Sequence, residues 1–120
     1  MSGMTATAGA TAEALALRLL EQQGYRLVTK NFRCRQGEID LIVTRGDWLV
    51  FVEVRLRRTR GWVSAAESIT PTKQARILHT AQVFLCQQPQ WQSCNLRFDV
   101  VLFSSLDQTP EWIQGAFDAI

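Results

Sequence analysis

Two apolar runs, Glu38–Arg45 and Trp48–Leu56, dominate the middle of the chain. Both are rich in Ile, Val, Leu and Phe and read as strands. Gly46-Asp47 lies between them. A two-residue loop with Gly first is the signature of a type II′ hairpin turn. That turn pairs Arg45 with Trp48, and so sets Asp40 opposite Glu53 and Glu38 opposite Arg55. The two-residue strand period then places Glu38, Asp40, Ile42, Leu49, Phe51, Glu53 and Arg55 on one face. Ile39, Leu41, Val43, Trp48, Val50, Val52 and Val54 take the other. Both faces are largely apolar, which predicts a central sheet covered on both sides.

Helical spacing precedes the hairpin. Glu13, Leu17, Leu20 and Gly24 share a stripe, predicting a helix over Thr11–Gln23 with Gly24 as its C-terminal stop. Residues 1–10 are small and uncharged and read as a flexible tail, leaving residues 11–120 as a single domain. Tyr25–Phe32 is a weak strand. Leu56–Ile69 is a long polar connection. Thr70-Pro71 then opens a second helix, with Thr as N-cap and Pro in the first turn. It runs to about Gln88, where Pro89 stops it. Leu96–Phe103 is another strand. Pro110 breaks the chain before a short segment, Glu111–Gln114, and residues 115–120 are expected to form a last helical turn. The order is α-β-β-β-α-β, a mixed α/β domain.

At 120 residues, 47% hydrophobic and 20% charged, the chain fits one globular domain and excludes global disorder and fibrous repeats. The net charge of +2 says little by itself. Its distribution says more. Residues 18–76 hold 12 of the 13 basic residues against 6 acids, a net of +6, whereas residues 77–120 carry −3. Eleven of the basic residues are Arg, which suits bidentate phosphate contacts. Cys34, Cys86 and Cys94 form no C-x-x-C pair, and with the lone His79 they make a poor zinc set. Scattered thiols, no signal-peptide pattern and no apolar run near the ~20 residues of a membrane span lead to the expectation of a cytoplasmic protein without membrane contact.

Asp40 facing Glu53 is a pair of like charges beside Ile42 and Phe51, an arrangement that destabilises a hairpin. Three things relieve it: protonation of one carboxyl, neutralisation by Arg55, or a divalent cation between the two. The plain alternative is an Arg-balanced cluster at a sheet end.

The stretch N-F-R-C-R-Q-G-E-I-D-L-I, a turn, then L-V-F-V-E-V-R-L-R, over Asn31–Arg57, closely resembles the small bacterial YraN-like proteins. Ala12-Glu13, Ala65-Ala66-Glu67, the Thr70–Arg76 run and Arg97–Val101 extend the likeness over nearly the whole chain past residue 10. That family is related to Holliday-junction resolvases with a restriction-endonuclease-like fold. The resemblance implies a D…E-x-K nuclease core. In it, Asp40 and Glu53 bind Mg²⁺ or Mn²⁺ with the Val54 carbonyl as a further ligand, and Glu13 is the extra helical acid of resolvase-like members. It also implies a nucleic-acid partner, branched or structured DNA, and a homodimer by analogy with junction symmetry. The sequence departs at Arg55, where the superfamily usually has Lys. Arg stays protonated and cannot be a general base. It can still stabilise charge on a phosphate.

Arg55, Arg57, Arg58 and Arg60 fall within six residues beside Trp62. They form a candidate phosphate-contacting loop; the alternative is a solvated loop with one packed aromatic. Lys73, Gln74 and Arg76 sit in the first turns of the second helix, whose N-terminus attracts anions. Gln74 is a candidate to position the attacking water. Arg33 and Arg35 extend the basic surface. Glu13 shares a stripe with leucines, which favours an inward role over dipole complementation. His79, Trp48, Trp91 and Trp112 read as structural or exposed. Asp99, inside an apolar strand, needs a partner, and Arg97 on its face is a candidate. The sequence therefore points to a metal-dependent endonuclease. The alternatives are a non-catalytic nucleic-acid-binding module and a domain that contacts an acidic protein.

Overall fold

In the computed structural model, which describes residues 7–57 and 69–118, the first helix is α1, Ala8–Gln22. It starts three residues earlier than the leucine stripe suggests. The Thr7 hydroxyl accepts from the Ala10 N–H at 3.0 Å and caps the first turn. Gly24, at φ 89°, ends the helix. The Tyr25 N–H there reaches back to the Leu20 carbonyl and the Gly24 N–H to that of Glu21, both at 3.0 Å, a left-handed stop that glycine adopts at no steric cost.

Five strands follow the order β1-β2-β3-β4-β5 across one sheet. They are β1 (Arg26–Cys34), β2 (Gly37–Arg45), β3 (Trp48–Leu56), β4 (Asn95–Phe103) and β5 (Glu111–Phe117). All neighbours are antiparallel except β3 and β4. That parallel pair is joined through α2, Pro71–Gln87, which the Thr70 hydroxyl caps by accepting from the Lys73 N–H at 3.2 Å. Pro89–Trp91 closes α2 with one 3₁₀ turn. The element order is thus α-β-β-β-α-β-β, with the helices packed on the sheet.

Each helix seals one face. Ala12, Ala16 and Leu20 of α1 bury against Leu41, Val43, Val50, Val52, Val101 and Phe103. Ile77, Ala81 and Phe84 of α2 bury against Ile39, Ile42, Leu49, Phe51, Phe98 and Val100. Both sheet faces are therefore dry in the middle, as the two-sided apolar pattern of β2 and β3 requires.

The C-terminal end differs from the expectation of a helical turn over residues 115–120. Glu111–Phe117 is a continuous strand that covers the edge of β4. Gly115, at φ 61°, and a register shift opposite Phe98–Val100 break the alternation of Trp112, Ile113, Ala116 and Phe117, and this break hides the strand from a period-two reading.

The β2–β3 hairpin forms with Arg45 paired to Trp48 and Gly46 at φ 58°, and its register runs through Leu41↔Val52. One face assignment changes. Ile39 and Ile42, three residues apart, pack into the same α2-side cluster, while Leu41 packs on the α1 side. Strict alternation fails between them, at Asp40.

Candidate functional site

Asp40 is where β2 leaves its ladders. The β1 pairing steps from Lys30↔Leu41 to Phe32↔Ile39 without an Asp40 rung, and the β3 pairing ends at Leu41↔Val52. Asp40 is therefore not a ladder partner of Glu53, nor Glu38 of Arg55, as an unbroken hairpin would make them. Instead the Asp40 side chain takes over: Oδ2 accepts the Val54 N–H at 2.8 Å. This local substitution keeps the backbone donor satisfied and brings the carboxyl against Glu53, with which it shares a hydrogen bond. The two acids meet, by a different route from the one the register implied.

Burial governs their charge. Loss of water pushes the Glu53 carboxyl up to about 9, helped by the Asp40 charge and hydrogen bond and opposed by Arg55 and Lys73. Asp40 is also raised by burial, against the lowering effect of the Val54 and Glu53 hydrogen bonds and the Arg55 charge. Both carboxyls are thus shifted towards the protonated form, Glu53 the further of the two, and the Arg55 charge opposes the shift on each.

Glu13 points into the same field from α1. Its carboxyl is raised by burial first and then by the charges of Asp40 and Glu38; the nearby Asn31 amide and the Lys30 charge oppose this. Among the described residues no three His, Cys, Asp or Glu side chains gather as a metal-holding group, so Glu13 stands beside the pair and not within it. Glu38 is engaged with Arg33, Nε to Oε2 at 2.8 Å, on the exposed side of the hairpin.

The other candidates are spread around this centre. The Lys73 charge reaches Glu53 from the first turn of α2. The Gln74 Nε2 donates to the Ile69 carbonyl at 3.2 Å and secures the chain entering α2. Arg76 lies one turn on, where its Cβ would be 3.4 Å from a Cβ built on Gly37. Arg35 is exposed in the turn between β1 and β2. The Arg57 N–H closes on the Phe103 carbonyl at 2.8 Å. Arg58, Arg60, Trp62 and Ala65-Ala66-Glu67 lie outside the described residues. His79 is exposed, and Trp91 packs at the margin of the α2-side core.

Asp99 is the fully buried acid among the described residues, and it has every partner it needs. Arg97 grips it through Nε at 2.8 Å and Nη2 at 2.9 Å, while the Trp112 indole N–H and the Gly115 N–H each donate at 3.0 Å. Arg97 also donates to the Tyr25 hydroxyl at 2.7 Å. Only the Arg97 contact was legible beforehand. Asn31 was not singled out from the sequence at all; the available signal was an asparagine where a strand prefers β-branched residues.

Two half-buried hard-oxygen ligands, one of them held by a backbone N–H, have the chemistry to hold a small divalent cation. Fold and site together define a small α/β protein with an acid pair at a break in its central hairpin. The chain belongs to uncharacterised protein family UPF0102, whose model matches residues 12–103. This is the family to which the YraN-like resemblance pointed. A UPF0102 protein of Pseudomonas savastanoi pv. phaseolicola is 45% identical over 115 residues, covering 93% of this chain and 94% of the relative. One from Pseudomonas aeruginosa (strain LESB58) is 47% identical over 115 residues, with 92% of each covered. One from Stutzerimonas stutzeri is 43% identical over 115 residues, covering 94% and 96%. Among the described residues no helix is long and apolar enough to cross a membrane.

Proposed function

We propose that the protein is a metal-dependent endonuclease acting on nucleic acid, with Asp40 and Glu53 as the acids that hold Mg²⁺ or Mn²⁺. The observation that carries this reading is the half-buried pair at the break in β2, with Asp40 held by the Val54 N–H and Glu53 pushed up to about 9. A buried acid pair held in place at the cost of desolvation is a mark of a working site. When bound, such a cation lowers the pKa of a water and polarises a phosphoryl oxygen.

The protein's own residues supply the rest. Asp40 is aimed by the Val54 N–H. Glu53 gives up its proton on loading, and the Val54 carbonyl is the further ligand in this scheme. Arg55, whose charge already acts on both acids, holds negative charge at the phosphate; it takes no proton. Lys73 and Arg76 at the start of α2, with Arg33, Arg35, Arg57, Arg58 and Arg60, provide phosphate contacts. Gln74, whose Nε2 is bonded to Ile69, keeps its Oε1 as the acceptor that positions the attacking water in this scheme. Branched DNA as substrate and a homodimer as the working form follow from the resemblance.

The specific observation favouring a second reading, a non-catalytic nucleic-acid-binding module, is Arg55 at the position where a lysine is usual. Titrating Mg²⁺ and Mn²⁺ against labelled junction, flap and single-stranded substrates separates the two. Metal-dependent cutting lost in Asp40→Asn supports the nuclease. Salt-sensitive binding with no cutting of any substrate supports the module.

A further inference from the structure

Side chains at the end of β3 alternate between the two sides of the sheet. Val54 and Leu56 pack against the α1-side core. Glu53, Arg55 and Arg57 therefore take the α2 side, where Leu102, the ladder partner of Arg55, belongs to the core. Arg57 lies one residue past the strand, and its N–H bond to the Phe103 carbonyl at 2.8 Å carries the β3–β4 ladder on to it. The backbone at Arg57 is thus held, and Glu53, Arg55 and Arg57 stand in one row at steps of about 6.6 Å.

Other arginines show what this fold gives a guanidinium. Arg97 is bonded to Asp99 and to the Tyr25 hydroxyl, and Arg33 to Glu38. Arg45 is bonded to the Gln23 carbonyl and lies over the Tyr25 ring. Arg57 differs. Its Nε is shut off from water, and among the described residues no acceptor reaches it. A charged donor withdrawn from water without an acceptor is costly, and its persistence calls for an explanation outside core packing. The residue as a whole is half-buried, not enclosed. An anion at its rim that drew the planar fork onto itself would end that cost, and the fork suits the paired oxygens of a phosphate.

A second guanidinium one strand step beyond Arg55 matches the spacing of successive phosphates along one nucleic-acid strand. We infer that Arg57 is a specificity-determining residue: it takes the phosphate next to the one held at Arg55, so that the site selects an internal phosphodiester of a polynucleotide over a lone one. This rests on the nucleic-acid reading of the site and adds to it the least ligand the site recognises in full, a strand segment with two successive phosphates.

The test is titration of the full chain, with Ca²⁺ present, with the thymidine dinucleotide, which has one phosphate, and the trinucleotide, which has two. NMR shifts follow binding, and ligand-free thermal melts accompany it, for wild type and Arg57→Met. Wild type is expected to bind the trinucleotide about tenfold more tightly than the dinucleotide, the scale of a hydrogen bond to a charged group. A trinucleotide with one phosphate replaced by an uncharged methylphosphonate falls back to the affinity of the dinucleotide. Arg57→Met, which keeps an apolar stem and loses the donors, binds all three alike. It also melts at or above the wild-type temperature, because the orphaned donor is gone. Wild type without a preference for the trinucleotide overturns the inference. So does Arg57→Met that keeps the preference, since another group then takes the second phosphate. A variant that melts well below wild type overturns it too, because the chain itself then satisfies the Arg57 donor. In each of those cases wild-type binding of the dinucleotide leaves the nucleic-acid reading standing. Wild type that binds neither nucleotide overturns that reading and this inference together.

Discussion

Asp99 and the Asp40–Glu53 pair are acids withdrawn from water in one sheet, and their surroundings are opposite. Asp99 is 1% exposed and receives four hydrogen bonds, two of them from a cation. These contacts tie β4 to β5 and leave no lone pair for a ligand. The Asp40–Glu53 pair receives the Val54 N–H on Asp40, with the Arg55 charge acting on both acids and that of Lys73 on Glu53. A carboxylate that a fold merely needs is given donors until its charge is satisfied. The Asp40–Glu53 pair is held differently, as two like-charged groups brought against each other with their carboxyls shifted towards the protonated form. The contrast sets a structural acid against the pair proposed to be functional.

The largest expected effect lies on the structural side. Asp99→Ala leaves Arg97, mostly buried, with the Tyr25 hydroxyl alone, and breaking a buried pair costs about 3–5 kcal/mol. Urea unfolding reads it directly, and a loss below about 1 kcal/mol, the worth of an ordinary hydrogen bond, would remove Asp99 from the role of clamp. On the functional side, Mn²⁺ at a hundred times its dissociation constant should stabilise wild type by about 2.7 kcal/mol, by linkage. Asp40→Asn should gain much less in the same melts. Equal gains would place the cation elsewhere.

A subtler difference concerns pH. The folded-state pKa of Glu53, about 9, is above its ordinary value of 4.5, so the folded protein binds the proton more tightly than the unfolded chain. Its contribution to stability is fully present below pH 4.5 and is lost as pH rises towards 9. Glu53→Gln keeps a donor towards Asp40 and does not titrate. Its stability should fall less than that of wild type between pH 6 and 9 in paired urea melts; parallel curves would assign the pH dependence to other groups. The smallest effect belongs to a third acid partner. Arg33 is 75% exposed where it meets Glu38, so Arg33→Ala should leave the melting temperature unchanged. If Arg33 touches a phosphate, the same variant lowers the slope of log affinity for duplex DNA against log salt by about one unit. A shifted melt with an unchanged slope would reverse that assignment.

Much of this was legible in the residues. Alternating apolar runs around Gly46-Asp47, the Thr70-Pro71 start and the Pro89 stop locate β2, β3 and α2 because each depends on local geometry alone. Asp40, Glu53 and Arg55 come together as the hairpin implies. The mode of contact was not legible, because a period-two argument assumes an unbroken ladder, and the ladder breaks at Asp40. The left-handed backbone of Asn31 is a dihedral angle that sequence does not carry. β5 was obscured by Gly115, whose positive φ disrupts the very alternation that marks a strand. The Asp99 clamp needs Tyr25 and Trp112, which are far from it in sequence and are brought close by the sheet order.

The central claim is that a proton held by Glu53 occupies the place a divalent cation takes. Calorimetric titration of Mn²⁺ at pH 7 in buffers of different ionisation enthalpy counts protons released on binding. The account predicts release of about one proton per Mn²⁺ in wild type and none attributable to the pair in Glu53→Gln. Mn²⁺ uptake with no proton release from wild type at pH 7 would contradict it.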